Sequence, residues 1–108
     1  MRVIWKEPNS RAMIRHIDKT LSAIQGWVGG DPLYLDRSGH VVFLGHALAD
    51  QNGEDLNGFE WSFLENVRGR VLIIGYPEDE DFGDVDQAVQ LWESLTEEDV
   101  KLWLPRTS

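Results

Sequence analysis

Carboxylates crowd the stretch from Glu78 to Asp99, where 22 residues contain ten acidic side chains and no Lys or Arg. The ten side chains are Glu78, Asp79, Glu80, Asp81, Asp84, Asp86, Glu93, Glu97, Glu98 and Asp99. Such a concentration of negative charge repels nucleic acid and anionic lipid and attracts basic surfaces. Any charged partner of this stretch is therefore expected to be basic.

The spacing of these carboxylates favours mimicry of nucleic acid. If residues 84–99 formed one continuous helix, it would be about 24 Å long at 1.5 Å per residue, although a break is expected at Leu95-Thr96. Its six carboxylates would give about one charge per 4 Å, near the 3.4 Å per charge of one DNA strand. A protein with this surface would occupy the Lys/Arg groove of a nuclease, a restriction enzyme or a CRISPR effector. The expected partner-binding residues are Glu78, Asp79, Glu80, Asp81, Asp84, Asp86, Glu93, Glu97 and Glu98.

The same charges also have a simpler explanation. Acidic side chains at a helix N-terminus are stabilised by the helix dipole, by about 0.3–1 kcal/mol each. This accounts for the five carboxylates at two predicted helix starts, but not for the run 78–81, in which four neighbours repel one another. A solvated surface and a binding surface both remain compatible with the sequence.

Metal binding and catalysis have little support in the sequence. Asp50, Asn52 and Glu54 have the odd-position spacing of a calcium loop, but Asp55 stands where that loop needs Gly and Trp61 where it needs Glu. No serine lies in a nucleophile-elbow context, and the chain has no cysteine. We therefore expect no enzyme activity, no metal and no cofactor.

The three histidines do not form a metal site in the sequence pattern. His40 and His46 would lie about 20 Å apart along one strand, too far to share an ion. For both, and for His16, we expect a polar surface position or a capping role.

An alternating aromatic segment leads to an alternative function. Phe59, Trp61 and Phe63 have strand periodicity, and they either form core or stack on the base of a captured nucleotide. Arg68 and Arg70 could then hold its phosphate. The alternative site, for a small anionic ligand such as a signalling nucleotide, consists of Arg68, Arg70 and Trp61. A non-enzymatic accessory domain is a further alternative.

Length and composition indicate one domain over residues 1–108. The net charge of −9 is uneven, with a balance of +2 over residues 1–49 and −11 over residues 50–108. The N-terminus lacks the apolar region of a signal peptide, and no apolar run approaches the roughly 20 residues of a membrane helix. We therefore expect a cytoplasmic protein.

The predicted fold is α+β, with a small mixed or antiparallel sheet of about four to five strands and about three helices. Strands are predicted at 3–5, 12–17, 33–35, 41–44, 59–63 and 71–74, the last of them buried on both faces. Asp18 is a good N-cap for a helix over 19–28, which Gly29-Gly30 ends.

Two more helices are predicted near the C-terminus. Asp84 caps the first of them, and Thr96 opens the second with a capping box to Asp99. The apolar face expected for the first is formed by Val85, Ala88, Val89, Trp92 and Leu95.

Four features follow one another along the chain: the predicted helix ending in Val28-Gly29-Gly30, the loop with Gln51-Asn52-Gly53, the apolar strand 71–75 and the motif 94–98 (SLTEE). In these features the chain resembles a family of small phage and mobile-element proteins catalogued only as a domain of unknown function. The resemblance implies a phage or prophage setting, and hence the cytoplasm of a host cell. It implies no catalytic residues.

Together these observations predict a phage-type acidic protein that binds and inhibits a host nucleic-acid-binding protein. A counter-defence role, as an anti-CRISPR or anti-restriction inhibitor, fits the nucleic-acid-like charge. No direct contact with nucleic acid or membrane is expected, and the oligomeric state is left open.

Overall fold

In a computed structural model, the chain forms a five-stranded antiparallel sheet with a helix on each face. The structure describes residues 1–58, 65–77, 80 and 88–104. The elements are β1 (Arg2–Lys6), β2 (Met13–His16), α1 (Leu21–Val28), β3 (Pro32–Ser38), β4 (Val41–His46), β5 (Val71–Gly75) and α2 (Glu97–Trp103). The α+β class is confirmed, and the first four predicted strands pair as two antiparallel hairpins, β1–β2 and β3–β4.

The sheet places its last strand at its centre. The strand order is β2-β1-β5-β4-β3, so β5 pairs with β1 on one side and with β4 on the other. All five residues of β5 are buried. The continuous apolar run 71–74 is therefore a strand covered on both faces, as predicted.

Alternation along β4 and β5 divides the core into two halves. Val42, Leu44, Leu72 and Ile74 point to the side covered by α1, which we call the α1 face. Val41, Phe43, Val71 and Ile73 point to the opposite side, the α2 face. On the α2 face Trp103 meets the Phe43 ring edge-on, with centroids 5.1 Å apart. Successive strand residues point to opposite faces. Because β4 and β5 are apolar at consecutive positions, both faces of the sheet are apolar.

The ends of α1 are fixed by Thr20 and Gly29. The Thr20 hydroxyl accepts a hydrogen bond from the Ala23 amide at 3.1 Å, so the N-cap is Thr20 and the prediction of Asp18 is wrong by two residues. Gly29 ends the helix with φ of 102°, a left-handed conformation in which glycine avoids a Cβ clash.

In residues 88–96, here called the crossing segment, the structure differs from the single apolar helical face predicted near the C-terminus. Trp92 is buried on the α1 face and Leu95 on the α2 face, because the chain crosses the end of the sheet between them. Glu93 forms a β-bridge with Gly75 at this crossing. The predicted helix start at Asp84 and the predicted strand 59–63 lie outside the described residues. The described residues contain two of the roughly three helices expected.

Candidate functional site

The carboxyl end of β5 carries the described part of the acidic stretch. The Glu93 amide donates to the Gly75 carbonyl at 2.9 Å, and the Leu95 amide donates to the Arg2 carbonyl at 3.0 Å. These bonds hold the crossing segment against the end of β5 and the start of β1. We call this region the acidic end; its described carboxylates are those of Glu80, Glu93, Glu97 and Glu98, all of them exposed.

Arg37 connects the acidic end to the β3–β4 hairpin. Its guanidinium donates to the carbonyls of Pro77 at 3.2 Å and Glu80 at 2.9 Å, and it lies 5.2 Å from the centre of the Tyr76 ring. These contacts fix the chain just after β5. Glu78, Asp79, Asp81, Asp84 and Asp86, five of the nine predicted partner-binding residues, lie outside the described residues.

Asp99 has a structural role at the start of α2. Its carboxylate accepts hydrogen bonds from the amide and the hydroxyl of Thr96, and its other oxygen lies 2.7 Å from Nε2 of His40. The Thr96 hydroxyl accepts in turn from the Asp99 amide, which completes the predicted capping box. Burial by itself would raise the pKa of Asp99, but the hydrogen bonds from Thr96 and His40 outweigh it and lower the pKa.

The exposed glutamates differ from Asp99 in their contacts. Glu97 forms an ion pair with Arg2, whereas no hydrogen bond or ion pair within the described part of the chain engages the carboxylates of Glu93 and Glu98. These two side chains are therefore open to a partner.

At the opposite end of β5, the flank of α1 and strand β1 enclose an open groove of about 510 Å³. We call it the indole groove; it is lined by Trp5, Ser22, Ala23, Gly26, Trp27 and Arg70. The four helical residues lie on one flank of α1 because they are paired at i, i+4 spacing. Trp5 and Trp27 meet edge-on with ring centroids 5.0 Å apart. The Arg15 guanidinium lies 6.0 Å from the centre of the Trp5 ring.

Of the three residues predicted for the alternative site, Arg68, Arg70 and Trp61, the structure describes the two arginines, and these have different surroundings. Arg68 is half-buried and donates to the backbone carbonyl of Glu54 at 2.9 Å, so it holds the loop before β5. Arg70 is exposed at the indole groove, and Trp61 lies outside the described residues.

A half-buried His–Glu pair lies at the end of β4. Nδ1 of His46 is 2.7 Å from Oε2 of Glu54, and the His46 side chain is only 9 % exposed. A β-carbon at Gly30 would lie 2.6 Å from Nε2 of the same ring. Of the two roles expected for the histidines, a polar surface position or a capping role, the surface position does not describe His46, which packs under the Gly-Gly end of α1 and contacts the following loop through Glu54.

The sequence contained signals for only part of this arrangement. The capping box was readable locally, whereas the His46–Glu54 pair and the Trp5–Trp27 pair join residues brought together by folding. The sequence nevertheless contained one indication of the groove. Ser22, Gly26 and Trp27 lie outside the buried side of α1 and share its outer flank.

Within the described residues, no group of three or more His, Asp or Glu side chains could hold a metal ion, and no helix is long and apolar enough to cross a membrane. A comparison of the chain with family models, curated proteins and solved structures found no match.

Proposed function

We propose that this protein is a non-enzymatic binding protein whose acidic end docks on a basic surface of a host nucleic-acid-binding protein and inhibits it. The observation that carries the proposal is the exposure of Glu93 and Glu98 without an ion-pair partner in the described part of the chain. In a phage setting, such an inhibitor would act against a defence nuclease or CRISPR effector.

Neighbouring carboxylates differ in their structural role, and this difference supports the proposal. Asp99 is buried and caps α2, so the fold requires its charge. Glu93 and Glu98 have no comparable structural contact in the described residues. Exposed like charges close together destabilise a fold slightly and are available for binding.

The backbone contacts of the crossing segment provide a second support. Glu93 is held to β5 and Leu95 to β1 by main-chain hydrogen bonds. A carboxylate on a fixed backbone loses less conformational freedom on binding than one on a free tail, which favours affinity. Complementary charge would also accelerate association at low salt.

The proposal is tested with the triple variant Glu80→Gln, Glu93→Gln and Glu98→Gln. Tagged wild-type protein and the variant are used for capture from a bacterial lysate, and each captured nucleic-acid-binding protein is then purified. DNA binding by that protein is measured with increasing amounts of inhibitor. We expect the wild type to compete with DNA and the triple variant to bind at least tenfold more weakly, with an unchanged melting temperature.

A matched control removes three charges at the other end of β5. The variant Asp50→Asn, Asp55→Asn and Glu65→Gln alters three exposed residues between β4 and β5 and should compete like the wild type. Equal binding by all three proteins, or capture of no nucleic-acid-binding protein, would contradict the proposal and favour an accessory domain whose carboxylates serve solubility.

A further inference from the structure

We propose that the indole groove is a second binding site, independent of the acidic end, for a small aromatic anion of the nucleoside monophosphate class. The groove combines two indole rings with one exposed arginine. This location differs from the aromatic segment considered from the sequence, because Trp5 and Trp27 replace Trp61 as the ring-binding residues.

The indoles provide a surface for a planar ring. Trp5 and Trp27 are only half-buried although they are the largest side chains of their elements. Arg15 lies over the Trp5 ring, and Trp27 borders the open space of the groove. Stacking of a nucleobase on such a side chain favours binding and tolerates every base, because every base has a π-face.

Arg70 provides the charge for a phosphate. Its side chain is exposed, and no hydrogen bond or ion pair in the described part of the chain engages it. A guanidinium binds phosphate through two parallel N–H donors. The Ser22 hydroxyl, which also lines the groove, adds a donor or acceptor for a ribose or phosphate oxygen.

Gly26 keeps the groove open at a cost to the helix. Glycine inside a helix is less favourable than alanine, because its backbone loses more conformational freedom on folding. A β-carbon at Gly26 would meet no atom within 4 Å, so packing does not require glycine at this position. Gly26 leaves a gap beside Trp27 that a ring can enter, and the groove volume of about 510 Å³ lies in the usual range for small ligands.

Charge selects a small anion over a nucleic acid chain. The net charge of −9 repels a long polyanion. The five residues of β5 separate the acidic end from the groove by about 16 Å, twice the Debye length of about 8 Å at physiological salt. A ligand with a single phosphate would therefore respond mainly to Arg70, the arginine that lines the groove.

The test is a titration with AMP, GMP, CMP and UMP, in which binding is measured by calorimetry and by tryptophan fluorescence. We expect saturable binding of at least one nucleotide, at least tenfold weaker binding of the matching nucleoside, and at least tenfold weaker binding of inorganic phosphate alone. Arg70→Ala should weaken nucleotide binding about tenfold or more. Lys101→Ala, which removes one exposed positive charge from α2, should change it less than twofold.

A second variant tests the groove without removing charge. Gly26→Leu places a side chain in the empty space beside Trp27 and should abolish nucleotide binding while the protein still melts cooperatively. No saturable response up to roughly 10 mM nucleotide, or equal binding by wild type, Arg70→Ala and Gly26→Leu, would overturn the proposal. The acidic-end triple variant keeps the groove intact, so the two proposals fail separately.

Discussion

At the scale of single residues, neighbouring carboxylate side chains have opposite roles. Asp99 is only 4 % exposed and receives hydrogen bonds from Thr96 and His40. Glu98 is exposed one position earlier. Burial and partners, which the residue type does not specify, decide which carboxylate stabilises the fold and which is free to bind.

The lowered pKa of Asp99 predicts how stability depends on pH. A carboxyl whose folded-state pKa is lowered stabilises the protein fully above its unfolded pKa of about 3.9, and this contribution is lost as pH falls through the folded-state value. Asp99→Asn should therefore lower the free energy of unfolding by about 1–2 kcal/mol at pH 7. Urea unfolding should show this difference shrinking below about pH 4. A difference that stays constant from neutral to acidic pH would contradict the assignment; Asp50→Asn is the exposed control.

Two glycines of α1 provide a second residue-scale prediction. Gly26→Ala should raise the free energy of unfolding by up to about 1 kcal/mol, because the added methyl meets no atom and favours the helix. Gly29→Ala should lower it by about 1 kcal/mol or more, because Gly29 has φ of 102°. Urea unfolding of both variants checks the pair. Destabilisation by Gly26→Ala would show that the flank of α1 is packed.

At the scale of elements, the end of β5 determines the path of the crossing segment. Gly75 has no side chain, and the carbonyls of Glu93 and Ser94 pass close to it. This approach allows the chain to bridge to β5 and then cross from the α1 face to the α2 face. The exposed glutamates of the acidic end are therefore positioned by a backbone contact at a glycine.

Gly75→Ala should test this contact. Its β-carbon would lie 2.7 Å from the Glu93 carbonyl oxygen, so backbone must move, at a cost of about 1–3 kcal/mol. In Gly45→Ala, also in a buried strand, the atoms nearest to the new β-carbon would belong to the Leu35 side chain, at 3.1 Å, and the change should cost less because that side chain can shift. Thermal unfolding compares the two variants. Equal losses would indicate that the approach of Glu93 does not constrain the fold.

At the scale of the whole molecule, charge and aromatic surface are separated along β5. The acidic end lies beyond Gly75, and the indole groove lies beside the residues that precede Val71. The central position of β5 between β1 and β4 makes this separation rigid. The protein thus presents two surfaces of different chemistry.

The separation predicts that the two proposed sites act independently. In a variant that combines the acidic-end triple change with Arg70→Ala, each ligand should lose the same binding free energy as it loses in the corresponding separate variant, within about 0.5 kcal/mol. Calorimetry with the captured protein partner and with a nucleotide measures the two losses of binding free energy. A larger coupling energy would place both ligands on one shared surface.

The sequence by itself determined the local features of this protein. Val71–Gly75 was readable as a buried strand because both of its faces are apolar, and the Thr96–Asp99 capping box because its partners are three residues apart. Gly29 was readable as a helix end for a similar local reason. The acidic character of the C-terminal half is a property of composition and needed no structure.

Only the tertiary structure decided which distant residues meet. Trp92 and Leu95 had the spacing of one helical face, but the bridge between Glu93 and Gly75 sends them to opposite sides of the sheet. Trp5 and Trp27 come together because β1 lies beside β5 under α1, a pairing that no local pattern specifies. Periodicity depends on neighbours along the chain, whereas strand order depends on how the whole core is buried.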